Sequence, residues 1–327
     1  MSLNAYEESF RNTAIVVTGA AGFIGSHLVE HLVTLGAKVT AVDNLQAGSW
    51  ANLRAVSDRV VFAECDVRDA DAMGALVEKV QPNYVFHLAA NASVPGSVQD
   101  PVYDFEANCV GTFRVLNALR GQMACRKVVV ASSGAVYGEP EAFPITEESP
   151  LRPISPYGAS KLNTEITAQM MHRVYQVPVV IARLFNAYGP RMARFVVLDF
   201  LKKLQRDPYR LEVLGTGQQI RDFTYVADTV QGLLALALKG DCGEAYNVSS
   251  GKNCSVTDLA NAIIAARGLS GKTRIEYTGK SWVGDAQRWE VSITRLKALG
   301  YQPQYTLEEG LRETIVWFDT TYGPTAM

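Results

Sequence analysis

Thr18-Gly19-Ala20-Ala21-Gly22-Phe23-Ile24-Gly25 decides the reading of this 327-residue chain. A β-branched run, Thr13 to Thr18, enters it, and an amphipathic stretch, Ile24 to Leu35, leaves it, so a strand turns directly into a helix. Glycines three residues apart let the backbone turn sharply and seat the helix against the sheet. The helix N-terminus then offers unpaired N–H groups to an anion. The spacing is G-x-x-G-x-x-G, and no Gly-Lys-Ser/Thr follows, which excludes a kinase-type phosphate loop. With a strand before and a helix after, the turn suits the pyrophosphate of a dinucleotide.

Outward from this turn the first half of the chain keeps one rhythm. Lys38 to Val42, Arg59 to Ala63, Tyr84 to Leu88, Lys127 to Ser132 and Val177 to Leu184 read as further strands, with helical patterns such as Asp71 to Val80 between them. Continuous apolar runs, rather than alternating ones, mark strands buried on both faces, the habit of a parallel sheet. The fold class is therefore α/β, a Rossmann-type doubly wound parallel sheet. Asp43 ends the second strand eighteen residues after Gly25, where a carboxylate accepts from the ribose hydroxyls of NAD and repels the extra phosphate of NADP. Asn44 follows it. Asp66-Val67 closes the third strand, where Asp66 either faces the adenine or caps the next helix. Beyond about Arg183 the rhythm breaks into turns and scattered strands. The expected division is a tail over 1–12, a NAD-binding domain over 13–182 and a smaller substrate lobe over 183–327, with a discontinuous boundary.

Composition narrows the function classes. Lys and Arg number 31 against 33 Asp and Glu, a net charge of −2, so nothing draws the chain onto a nucleic-acid backbone. Its longest apolar runs fall far short of the ~20 residues of a spanning helix. The N-terminal stretch, with Glu7 and Glu8, does not read as a signal peptide. Five cysteines, odd in number and never spaced C-x-x-C, suit a reduced, cytoplasmic protein with no structural metal.

Tyr157-Gly158-Ala159-Ser160-Lys161 sets Tyr157 and Lys161 four residues apart, on one face of a helix begun by Ser155-Pro156. A tyrosine with its ordinary pKa near 10 is a poor base at pH 7, and a neighbouring ammonium favours the phenolate. Upstream, Ser132-Ser133 ends a strand, placing hydroxyls at the carboxyl edge of the sheet, where ligands of such folds bind.

These motifs, with His87-Leu88-Ala89-Ala90, Ser132 to Gly138, Arg183 to Arg191 and Arg221 to Val226, resemble the extended short-chain dehydrogenase/reductases. Within them the chain is similar to the nucleotide-sugar epimerase/dehydratase family, most like its UDP-glucose 4-epimerase branch, over residues 13 to 318. The resemblance implies Tyr157 as catalytic base, Lys161 as its electrostatic partner and ribose ligand, and Ser133 as the hydroxyl on the sugar O4. It implies NAD lined by Gly19, Gly22, Phe23, Ile24, Gly25, Leu88, Ala89, Ala90, Asn108, Ser132 and Phe185. For the sugar nucleotide it implies Ser93, Asn186, Val213, Arg221 and Arg288. It further implies a homodimer through the helices Val102 to Arg120 and Lys161 to Tyr175.

The same resemblance separates the reactions. In the dehydratase branch an Asp/Glu pair follows the catalytic Ser/Thr, and the decarboxylase branch keeps a Glu. Here those positions are Gly134 and Ala135, which transfer no proton. A nucleotide-sugar 4-epimerase, acting on a UDP-hexose or UDP-uronate, is the expected activity; a dehydratase, decarboxylase or 4-keto reductase is the alternative. Two departures stand out. Trp282 replaces the usual Arg ahead of Gly284-Asp285, leaving Arg288 to compensate, and Trp289 falls near the position that gates sugar size. Arg194 reads as a solvated loop charge, with a uronate carboxylate as its other partner.

Overall fold

The computed structural model describes residues 8–280 and 286–324. Six strands alternate with helices in its first half: β1 (Ala14–Thr18), β2 (Lys38–Asp43), β3 (Val60–Glu64), β4 (Tyr84–His87), β5 (Lys127–Ser133) and β6 (Val179–Leu184). After β7 (Asn186–Tyr188), β8 (Arg210–Val213) and β9 (Ile220–Tyr225), β10 (Ala245–Val248) returns to the first six. The resulting seven-stranded sheet, in order β10-β6-β5-β4-β1-β2-β3, is parallel throughout. The doubly wound sheet read from the sequence is present.

Alternation along the strands sends side chains to two cores. Ile15 and Val17 join Leu28, Leu32, Phe86, Leu233 and Leu236 on one face. Val16 joins Val85, Val115, Leu116, Val130 and Met171 on the other. Phe10, inside the stretch read as a tail, is buried against Tyr84. A third core of Leu201, Phe223, Ile263, Leu311 and Phe318 holds the C-terminal elements. There β11 (Asn253–Ser255), β9 and β7 form one small sheet, and β8 pairs with β12 (Arg274–Tyr277).

Chain direction reverses at β1. From it the chain runs out to β2 and β3, then crosses to β4 on the opposite side. The connections after β1 and β4 therefore part there, opening a crevice at the carboxyl ends of the strands. Among the described residues no helix is long and apolar enough to cross a membrane.

Candidate active site

A cleft of about 1470 Å³ opens at that switch point. Every site residue singled out from the sequence lines it except Asn108, Val213 and Arg288. The volume exceeds the ~300–1,000 Å³ of an ordinary small-molecule site and suits two ligands end to end.

Gly19 turns the chain after β1 with φ +68°, and a Cβ there would lie 2.7 Å from the Ala89 amide nitrogen. Only glycine lets the two crossing loops come this close. Gly22 precedes the helix Phe23–Thr34, whose first turn has neither a side-chain cap nor an acidic residue. Its N-terminal amides and positive dipole end are left for an anion. Asp43 braces this turn: one carboxylate oxygen accepts from the Ala21 amide at 2.9 Å, the other from the Leu45 amide at 2.8 Å. Asp66 is held by Arg68 and Asn44, and the Arg68 hydrogen bonds keep its carboxyl down at about 2. The next helix, Ala70–Val80, is capped by Asp69, so Asp66 is not its cap.

Ser133, Tyr157 and Lys161 converge on the opposite wall. Ser155 accepts from the Gly158 amide at 3.1 Å and Pro156 fills the first turn, so the helix Pro156–Tyr175 starts where its sequence says. Burial pushes the Tyr157 phenol up; a hydrogen bond from Ser133 and the charge of Arg194 pull it down, while Asp104 adds to the rise. Burial lowers Lys161 to about 8 against the charges of Asp104, Cys109 and Glu165. The Lys161 ammonium donates to the Ala131 carbonyl at 2.9 Å. His87 lies behind it. Thr112 donates to the Asn108 carbonyl at 2.6 Å, so its oxygen accepts the His87 Nε2 proton. Nδ1 is then the acceptor toward Thr18, and burial holds the ring neutral, with its pKa lowered to about 3.

The Ser132 hydroxyl is buried and donates to Glu165, which forms an ion pair with Arg183 at 2.8 Å. Ser93 caps the helix Val94–Gln99 by accepting from the Gly96 amide at 3.0 Å. Asn186 donates to the Asp222 carbonyl at 3.2 Å. Arg221 donates to the carbonyls of Ile220 and Ala286 and lies over the Trp289 ring at 5.1 Å. Phe185 stacks on Tyr137 and meets the edge of Trp289, whose indole N–H donates to the Gly138 carbonyl at 3.1 Å. Arg194, read as a solvated loop charge, lines the cleft.

Three expectations are corrected. Asn108 is wholly buried behind the wall, its amide donating to Asn91, Asp104 and Ser160, although its Oδ1 has no protein partner. Val213 points into the C-terminal core, and Leu214, the next residue, reaches the cleft. Arg288 is drawn to Glu290 and over the Phe143 ring, 4.6 Å away, so it stands outside. Trp282, Gly284 and Asp285 lie outside the described residues. Sequence reasoning missed Asp104, a fully buried carboxylate beside the Tyr157–Lys161 pair. No local signal marks it, because Asn108 and Thr112 at helical spacing are polar as well.

The family model described as GDP-mannose 4,6 dehydratase matches residues 16–314. The chain belongs to this family of extended short-chain dehydrogenase/reductases. One family relative, the UDP-glucose 4-epimerase of Mycolicibacterium smegmatis, is 37% identical over 311 residues, covering 93% of this chain and 97% of its own. Among solved family structures, the UDP-glucose 4-epimerase of Thermotoga maritima with UDP-glucose superposes at TM-score 0.87. It is 34% identical and covers 94% of this chain and 99% of its own. The Thermus thermophilus UDP-glucose 4-epimerase in complex with NAD gives a TM-score of 0.84 at 33% identity, covering 93% and 98%.

Proposed function

We propose that this chain is an NAD-dependent nucleotide-sugar 4-epimerase, an isomerase that inverts C4 of a UDP-hexose or UDP-uronate through a 4-keto sugar. One observation carries the choice within the family. Ser133 and Tyr157 face the cleft, yet the two positions after Ser133 hold Gly134 and the buried methyl of Ala135. Among the described residues the wall carries three carboxylates: Asp43, which braces the glycine turn, Asp66 just after β3, and Asp199, paired with Lys203. None stands beside Ser133 to take or give the protons of a dehydration.

The glycine turn fits NAD: Gly19 admits close approach, the uncapped helix takes the pyrophosphate, and Asp43 takes the adenosine ribose. NAD held there would supply reversible hydride chemistry at C4 of the sugar. Tyr157 removes the O4 proton as the C4 hydride leaves, and Ser133 holds O4 by a hydrogen bond. Lys161 keeps a positive charge beneath the phenolate. Asn186 and Arg221 grip the diphosphate, Arg221 with a charge-assisted hydrogen bond. Phe185 and Trp289 wall the sugar with apolar surface, which leaves the ketone room to turn its other face. Tyr157 then gives the proton back to O4, so the reaction closes with no net oxidation. Arg194 at the wall favours a uronate among the sugars.

Further proposals concern organisation. Residues 13–182 with β10 form the cofactor lobe, and the rest from 183 the sugar lobe. Exposed Val102, Phe105, Ile166 and Val174 on the helices Pro101–Phe105 and Pro156–Tyr175 support a homodimer, which light scattering would read as twice the chain mass. Five free cysteines support a cytoplasmic location.

Proton NMR in D₂O with UDP-glucose, UDP-galactose, their N-acetyl forms and UDP-glucuronate tests the activity. Inversion at C4 with no solvent deuterium in the sugar is expected. Deuterium at C5, a lasting 4-keto product or loss of CO₂ would sink the epimerase in favour of the alternatives.

A further inference from the structure

Asp104 is 1% exposed and lies on the short helix Pro101–Phe105. Three neutral donors satisfy it. Its Oδ2 accepts from the Ser160 hydroxyl at 2.6 Å, and its Oδ1 from the Asn91 and Asn108 amides at 2.9 and 3.2 Å. Ser160 stands between Tyr157 and Lys161 on their helix. Its hydroxyl oxygen also accepts from the Asn108 amide at 2.9 Å, and its carbonyl accepts from the Cys109 thiol at 3.3 Å. The backbone after Asp104 is a π turn, Glu106–Val110, a rare distortion that collects at functional sites. It brings Asn108 and Cys109 onto the helix turn that carries the pair.

A buried carboxylate costs several kcal/mol of desolvation when nothing needs its charge. Asn would serve the same donors more cheaply. We propose that Asp104 is a positioning residue for the Tyr157–Lys161 pair: it clamps Ser160 against the Glu106–Val110 turn and fixes a negative charge behind both groups.

Burial raises the Asp104 carboxyl, while the Ser160 hydrogen bond, the Lys161 charge and the Asn91 hydrogen bond pull it down and favour its ionised form. Tyr157 faces Asp104, Arg194 and the Ser133 hydroxyl; Asp104 raises its pKa, while the other two lower it. Lys161 faces Asp104, Cys109 and Glu165, which all favour its ammonium, and its own charge bears on His87. Glu165 is already paired with Arg183. Asp104 thus disfavours the Tyr157 phenolate and favours the Lys161 ammonium.

The inference deepens the proposed epimerase, but its first readout does not need turnover. On the NAD-loaded protein, phenolate absorbance is titrated for the wild type and for Asp104→Asn, each minus its Tyr157→Phe counterpart. The Tyr157 midpoint should move to lower pH in Asp104→Asn and stay in place in Ser160→Ala, which keeps the carboxylate. With a turned-over sugar, both limbs of the pH–rate profile should move the same way. An unmoved midpoint in Asp104→Asn, or an equal move in Ser160→Ala, overturns the inference. Asp104→Ser removes the same charge if Asp104→Asn does not fold; if neither folds, Asp104 serves the fold and the inference is lost. A normal shift in a protein that inverts no sugar would instead overturn the epimerase reading.

Discussion

Lys161 donates its ammonium to the carbonyl of Ala131 at 2.9 Å, tying the helix that carries Tyr157 to the strand that ends in Ser133. One buried cation thereby sets the distance between the two groups proposed to handle the O4 proton. Burial holds that cation at about 8, so it discharges as pH rises through that value. Turnover should therefore fall above about pH 8. Lys161→Met, neutral at every pH, should be roughly 10²–10⁴-fold slower and lack this limb. A pH–rate profile of the variant that kept the limb would refute the assignment.

Tyr157→Phe keeps the ring and removes the proton carrier. We expect turnover to drop about 10²–10⁴-fold while NAD stays bound, since the glycine turn and Asp43 are untouched. The measurement is a rate beside the cofactor content of the purified variant, and near-normal turnover would contradict the mechanism.

Gly134 lies beneath the Phe185 ring. A Cβ there would sit 2.5 Å from the ring edge, and that ring is fixed between Tyr137 and Trp289. Gly134→Ala should lower stability by about 1–3 kcal/mol through overpacking. Gly134→Glu should not create a dehydratase, because the carboxylate has no room there. Denaturant unfolding checks the first, and a stable Gly134→Ala protein would show that the ring yields.

His87 makes the fold acid-sensitive. Its pKa falls from 6.5 unfolded to about 3 folded, so between those values the unfolded chain binds the extra proton. Stability then rises with pH across the window and is lost as pH falls from about 6.5 toward about 3, with a limiting slope of roughly 1.4 kcal/mol per pH unit. His27, lowered to about 4 chiefly by burial, adds to the loss in the same direction. His87→Gln should flatten the acid side of a plot of Tm against pH. An unchanged slope would show that other groups govern it.

Most of the sheet was legible because β1 to β6 are apolar runs closed by turn residues, and the site motifs sit at their ends. β10 was not. Its four residues, Ala245-Tyr246-Asn247-Val248, carry a wholly buried Asn in the middle, whose side chain the Tyr137 hydroxyl and the Ile145 and Ser292 carbonyls satisfy. Those partners stand 110, 102 and 45 positions away along the chain and leave no local trace. Val213 and Arg288 failed for a related reason. A one-residue shift on a strand exchanges core for cleft, and Glu290, two residues on, captures Arg288. Asp104 went unseen because a buried carboxylate and a solvated one look alike in a sequence.

The late arrival of β10 also orders assembly in time. During synthesis from the N-terminus, β6 has β5 on one side and nothing on the other until residue 245 emerges. The nascent half-protein therefore carries a bare hydrogen-bonding edge of Val179–Leu184, buried in the finished molecule and able to recruit a neighbouring chain before then.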